Sequence, residues 1–236
     1  MKKWMMLAGL AITGFLSACD NEEKLNAVII VDSAFETAAD GWSPGFSDYS
    51  AETDSTTFEM KAERTTLAAG MDTTKYGFMM QGHNHSDDMF MYLKKKVSGF
   101  IPNQTYNVVF NVSFGTQYPE NSFGIGGSPG SSVYLKAGAS PTEPARKLEN
   151  KMYTFNLDKG AQSQVGKDAV LLGNVSNGAD TYGYKLVERS NTDNPFTVRA
   201  NAQGEIWLYI GTDSGYEGLS VFYYDRITAT ITEQQI

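Results

Sequence analysis

From Tyr106 to Phe114 every second residue is aromatic or aliphatic: Tyr106, Val108, Phe110, Val112 and Phe114. A strict period of two places all five on one face of an extended chain, whereas a helix would scatter them around its circumference. The same period returns near the C-terminus, over Leu219–Ile231. It recurs more briefly at Phe58–Ala62, Tyr76–Met80, Asp88–Val97, Val133–Ala137, Tyr153–Leu157, Tyr182–Val187, Phe196–Ala200 and Ile206–Ile210, and Val28–Val31 reads as a first buried strand. Gly, Pro and Asn punctuate the runs. No full-length amphipathic helix, internal repeat or long linker interrupts them, although Pro141–Asn150 has room for one helical turn. Short alternating strands between turn signals predict an all-β antiparallel β-sandwich, a jelly roll, in a single domain.

The closing run contains one misfit. Continued at period two, one face carries Leu219, Val221, Tyr223, Asp225, Ile227, Ala229 and Ile231, so Asp225 falls among apolar neighbours. A buried carboxylate needs a partner, because an isolated charge out of water is too costly. Backbone or arginine hydrogen bonds would serve, and so would a metal ion.

Composition bounds the partners. Of 236 residues, 41 % are hydrophobic, enough to bury a sizeable core. The formal charge is −8, and becomes −10 once Lys2 and Lys3 are set aside with a leader. An acidic surface disfavours nucleic acid, whose phosphates require a basic footprint. Met1-Lys-Lys is a positive start, and Trp4–Phe15 is an apolar run too short to span a bilayer. Leu16-Ser-Ala-Cys19 follows and holds the only cysteine. It resembles the bacterial lipobox, which implies cleavage before Cys19 and acylation of its thiol.

The expected organisation is a lipoprotein signal peptide over 1–18, a lipidated tether over 19–26 and the β-sandwich over 27–236. Through the acylated Cys19 the partner is the lipid bilayer of a bacterial cell envelope. Asp20-Asn-Glu-Glu-Lys24 resembles the acidic export signal of surface lipoproteins, which points to the outer membrane or cell surface. In enterobacteria an aspartate after the cysteine would instead mean the inner membrane.

Phe35-Glu36 with Gly41-Trp42, together with Tyr223-Tyr-Asp-Arg-Ile227, resembles the opening and closing strands of carbohydrate-binding-module jelly rolls with a galactose-binding-like fold. The resemblance implies neighbouring first and last strands with a structural calcium between them, held by Glu36 and Asp225. Calcium takes hard oxygen ligands, in keeping with a carboxylate pair. The middle of the chain is similar to an uncharacterised family of secreted proteins, on Ser86-Asp-Asp-Met-Phe-Met91, Gly124–Gly130, Val133–Ala139 with Glu143-Pro144, and Asp158-Lys-Gly160 with Gly166-Lys-Asp168.

Three further sets of residues suggest chemistry. His83, His85 and Asp87 would share a face if extended, a plausible transition-metal set, although Gly82, Asn84 and Ser86 around them form turns. Phe46, Tyr49, Tyr118, Phe123 and Tyr134 are candidate ligand-binding rings, since loop aromatics can stack on the C–H faces of sugars. Trp42 reads instead as a core plug. Gly124–Gly130 lacks the lysine and the following helix of a phosphate loop.

The leading expectation is a membrane-anchored glycan-binding or glycan-scavenging accessory protein with a poly- or oligosaccharide partner. One alternative is a polysaccharide lyase: Val133-Tyr-Leu-Lys-Ala-Gly138 resembles a motif of alginate-lyase jelly rolls, with Arg64, Tyr134 and Lys136 as available groups. No Gln-x-His element accompanies them, and no complete catalytic set appears. The other alternative is a structural or interaction lipoprotein without a small ligand.

Overall fold

The computed structural model describes residues 27–85 and 88–234, so the leader, Cys19 and Asp87 lie outside the described residues. Within them, fifteen strands form three antiparallel sheets, with one short 3-10 turn at Ser55–Phe58. The first sheet places β12 (Lys185–Ser190), β7 (Thr105–Thr116), β15 (Leu219–Glu233), β5 (Tyr76–His83) and β4 (Lys61–Thr66) side by side. In the same sheet β1 (Val28–Ser33) pairs with the end of β15, and β13 (Phe196–Arg199) with the start of β7. The second sheet runs β11 (Val170–Asn174), β8 (Val133–Ser140), β14 (Glu205–Ser214), β6 (Phe90–Ser98) and β2 (Ser43–Ser47). A third, small sheet joins β3 (Tyr49–Ser50), β10 (Met152–Phe155) and β9 (Arg146–Glu149).

From β5 to β8 the chain crosses from one large sheet to the other at each connection, as it does again from β14 to β15. This is the antiparallel β-sandwich that the alternation requires. The inner faces meet in one core. Tyr106, Val108, Phe110, Val112 and Phe114 of β7 all point into it, as their period predicts. Leu135, Ala137, Ile206, Leu208 and Ile210 face them from the second sheet. Trp42 is 3 % exposed and donates from Nε1 to Ser33 Oγ at 3.0 Å, a core plug as expected. First and last strands are neighbours, with Val28 opposite Thr232 and Ser33 opposite Ile227.

The closing strand corrects the sequence reading. Phe222 and Tyr224 point inward, but so do Ile227, Ala229 and Ile231. The phase changes because Tyr224 pairs with Phe114 while Arg226 pairs with Ser113, leaving Asp225 as the extra residue of a β-bulge. Asp225 is therefore not a core position. It is half-buried, and its Oδ2 accepts a hydrogen bond from Ser113 Oγ at 3.0 Å. Two other expectations shift. Phe58 ends the 3-10 turn instead of opening a strand, since Glu59 adopts a left-handed conformation (φ 47°). Within 141–150, residues 146–149 form β9 of a hairpin with β10, not a helical turn.

The second sheet also has a covered outer face. Phe90, Tyr92 and Tyr209 point away from the main core, and Phe155, Ala169 and Leu157 close over them in a second apolar cluster. The segment from Phe155 to Ala169 thus acts as a strap across the sheet.

Candidate functional site

One end of the sandwich gathers the turns after β5, after β7 and after β14. There the loop between β7 and β8 is held by a serine hub. Ser128 Oγ accepts from the Gly130 and Ser131 N–H groups at 3.2 and 3.1 Å, and lies 3.0 Å from Ser122 Oγ. Glu217 N–H donates to Ile125 O, and Gly215 N–H to Ser132 O, both at 2.8 Å, which fastens the loop to the β14–β15 turn. Gly130 is required by contact: a Cβ there would stand 2.1 Å from Pro119 O. On this fixed frame the Phe123 ring is 96 % exposed. It borders a pocket of about 350 Å³ lined also by Glu120, Asn121, Ser128 and Ser131. A rigid loop that holds a large ring in water while offering carboxylate, amide and hydroxyl groups beside it has the makings of a ligand platform.

The other predicted rings divide. Tyr49 and Tyr118 are core residues, 5 % and 4 % exposed, and are corrected as ligand candidates. Burial raises the Tyr118 phenol's pKa, and its hydroxyl is spent on Leu219 O and Val221 N–H. Tyr134 is half-buried on β8. Phe46 lies at the rim of a separate groove beside β2, together with Tyr92, Lys94 and Arg146. Sequence reasoning missed those three. Tyr92 and Lys94 lie on β6 and Arg146 opens β9, some fifty positions later, and no local pattern links them.

The strap is fastened by charge. Lys136 and Asp213 are both 0 % exposed and 2.8 Å apart. Lys159, reaching in from the strap, meets the same Oδ2 at 3.0 Å, and the Gln162 N–H donates to it at 2.9 Å. Lys136 also donates to Lys159 O and Gln164 O, both at 2.9 Å. Removal from water lowers the Lys136 pKa and raises that of Asp48, whose Oδ2 stands 3.6 Å from Lys159.

This arrangement leaves the lyase grouping without a shared cleft. Lys136 is sealed, and Arg64 lies in the first sheet, with its Nε donating to Phe35 O at 2.6 Å and its guanidinium 3.8 Å from the Tyr76 ring centre.

Of the predicted transition-metal set, His83 and His85 are among the described residues and Asp87 is not. His83 and His85 stack with ring centres 4.3 Å apart and planes 15° apart. Ring lone pairs lie in the ring plane, so two near-parallel faces do not aim at one ion. His83 Nδ1 instead meets Glu59 Oε1, and His85 Nε2 meets Thr57 O, both at 2.9 Å. Glu36 is exposed and accepts from Tyr76 N–H at 3.2 Å, while Asp225 is half-buried on the bulge and accepts from Ser113 Oγ. Among the described residues no group of three or more His, Cys, Asp or Glu side chains is placed to hold a metal.

No family model and no curated protein matches the chain. Solved structures do. One is that of the Clostridium thermocellum endo-1,4-β-D-xylanase 10B CBM22-1–GH10 modules with xylohexaose, at 13 % identity and a TM-score of 0.38, covering 87 % of this chain and 28 % of that one. This chain therefore spans under a third of the xylanase chain. A second is a protein of Bacteroides thetaiotaomicron described as a candidate sugar-binding protein, at 9 % identity and 0.38, covering 86 % and 92 %. A third is the Caldicellulosiruptor saccharolyticus carbohydrate-binding module CBM27-1 with mannohexaose, at 11 % and 0.36, covering 86 % and 97 %.

Proposed function

We propose that this protein binds glycans at the loop end of its sandwich, with Phe123 as the stacking ring. The observation that carries the reading is the 96 % exposure of Phe123 on a hydrogen-bonded loop beside Glu120, Asn121 and Ser131. Leaving such a ring in water gives up the burial of a large apolar side chain, roughly 2–3 kcal/mol, without return inside the fold. A sugar C–H face would recover that surface, and the adjacent polar groups would fix its hydroxyls. A loop already held by Ser128 has little left to order on binding.

Cys19 is the proposed lipid anchor, on the strength of the lipobox-like run before it. Val28 lies at the far end of β15 from Leu219, and Leu219 is bonded to Tyr118 at the loop end. A tether entering at Val28 would thus present the Phe123 end away from the membrane, suiting a protein at the outer membrane or cell surface. A glycan array probed with the protein and with Phe123→Ala tests the binding. Signal on one glycan class, lost in the variant, is expected; silence of the array, or no glycan whose signal the variant loses, rejects it. Incorporation of a tagged fatty acid into the protein but not into Cys19→Ala tests the anchor.

A further inference from the structure

The groove beside β2 is separate from the Phe123 pocket and has the opposite charge. It holds about 390 Å³ and is lined by Pro44, Phe46, Tyr92, Lys94 and Arg146, with Gly45 as its floor. Its lining contains two cations and no carboxylate, on a chain of net charge −8. The Phe123 pocket has one carboxylate, Glu120, and no cation.

The groove is built around Tyr92. Gly45 sits directly opposite it in the β2–β6 register, and a Cβ at Gly45 would stand 2.2 Å from the phenol Cζ and 2.5 Å from the hydroxyl. Only glycine lets the phenol lie there. Tyr92 is 2 % exposed, and its hydroxyl, which has no hydrogen-bond partner among the described residues, is the part of the side chain that meets solvent at the groove. A hydroxyl at the tip of an otherwise buried ring is held in place, and a ligand atom can take over the hydrogen bonds that water makes to it there.

The cations are held around it. Lys94 Nζ donates to Glu143 Oε1 at 2.6 Å and to Pro144 O at 2.8 Å. The Arg146 guanidinium lies 4.5 Å from the centre of the Tyr153 ring and donates from Nη1 to the Tyr49 hydroxyl. An arginine has five N–H donors, so a fork remains for a planar anion. Phe46 borders the groove, while its half-buried ring packs against the main core.

We infer that the Tyr92–Lys94–Arg146 groove binds a carboxylate borne on a sugar ring, a hexuronate, with Arg146 and the Tyr92 hydroxyl on the carboxylate. The saccharide part rests on the glycan-binding reading above; the anion part does not. Amide chemical-shift titrations of the protein in low salt, with galacturonate, galactose and acetate, test it. Galacturonate is expected to shift residues of β2 and β6 and to bind at least about tenfold more tightly than galactose, the scale of one charge-assisted hydrogen bond. Arg146→Gln is expected to remove about tenfold of that affinity, high salt to weaken it, and Phe123→Ala to leave it unchanged. Tyr92→Phe keeps the ring packing and isolates the hydroxyl, so a loss of several-fold there does not depend on how Arg146→Gln folds.

Equal binding of galactose and galacturonate, no effect of Arg146→Gln or Tyr92→Phe, or no shifts at all would overturn the inference. So would loss of uronate binding in Phe123→Ala, which would move the ligand to the loop end. Acetate binding as tight as galacturonate would remove the sugar and leave a bare anion site. Failure of the glycan array with uronate shifts present would reject the Phe123 reading alone.

Discussion

Asp213 Oδ2 receives Lys136 and Lys159 at 2.8 and 3.0 Å, inside a protein where neither Lys136 nor Asp213 touches water. One carboxylate thus holds a strand of the second sheet and the strap that covers that sheet's outer face. Because two ammoniums depend on it, Asp213 matters more than either lysine. Asp213→Asn leaves Lys136 without a counter-charge and Lys159 with only the more distant Asp48, and is expected to cost about 3–5 kcal/mol. Lys136→Met, which leaves Lys159 on Asp213, should cost less. Denaturant unfolding of both variants checks the order; equal losses would mean that the two ammoniums do not share the carboxylate.

Asp48 gives a pH dependence of defined sign. Burial raises its pKa above the ordinary aspartate value, so the folded state binds its proton more tightly than the unfolded chain does. Its ionisation then weakens the fold as pH rises from about 4 through the raised value. Asp48→Asn removes that contribution. The variant should gain stability relative to the natural protein between pH 4 and pH 7, as read from paired denaturation curves. A stability difference that is flat with pH, or that moves the other way, would show that Lys159 neutralises the carboxylate fully.

Tyr224 is fully buried, and its hydroxyl has no hydrogen-bond partner among the described residues. Burial raises the phenol's pKa for the same reason that it isolates the hydroxyl. Tyr224→Phe keeps the ring contacts with Phe114 and removes an unpaired polar atom, so a stability gain of about 1 kcal/mol is expected. A loss of that size by thermal unfolding would reveal a partner for the hydroxyl.

Asp225 is expected to tolerate change. As the extra residue of a bulge it makes one hydrogen bond, to Ser113, so Asp225→Asn should cost no more than about 1 kcal/mol. Chemical denaturation giving a loss several times larger would restore the buried carboxylate that the strand's alternation suggested.

Gly130→Ala is expected to disturb the loop end without unfolding the sandwich. The added Cβ would stand 2.1 Å from the Pro119 carbonyl oxygen, which is backbone and cannot swing aside. Amide hydrogen exchange should quicken over 120–131 while β7 and β15 stay protected. Unchanged exchange in that loop would mean that the turn has room to relax.

The sequence by itself determined the strands, because a side chain's face in an extended chain depends only on its neighbours one and two positions away. Hence β7 and the inward-facing residues of β14 follow directly from alternation, and Trp42 was legible as a plug. Phe123 could be marked as an aromatic in a loop, but its exposure could not be read, because Tyr118 lies in the same loop and is buried. Tertiary structure alone decided the rest, because the decisive partners are distant in the chain. The bulge at Asp225 exists only in the pairing of β15 with β7, and it reverses the facing of every residue after it. Lys136 and Asp213 meet across 77 positions. Tyr92 is left open to a groove only because Gly45 lies opposite it. Periodicity is a local property of the chain, whereas register, burial and charge pairing belong to segments that meet only when the sheets close.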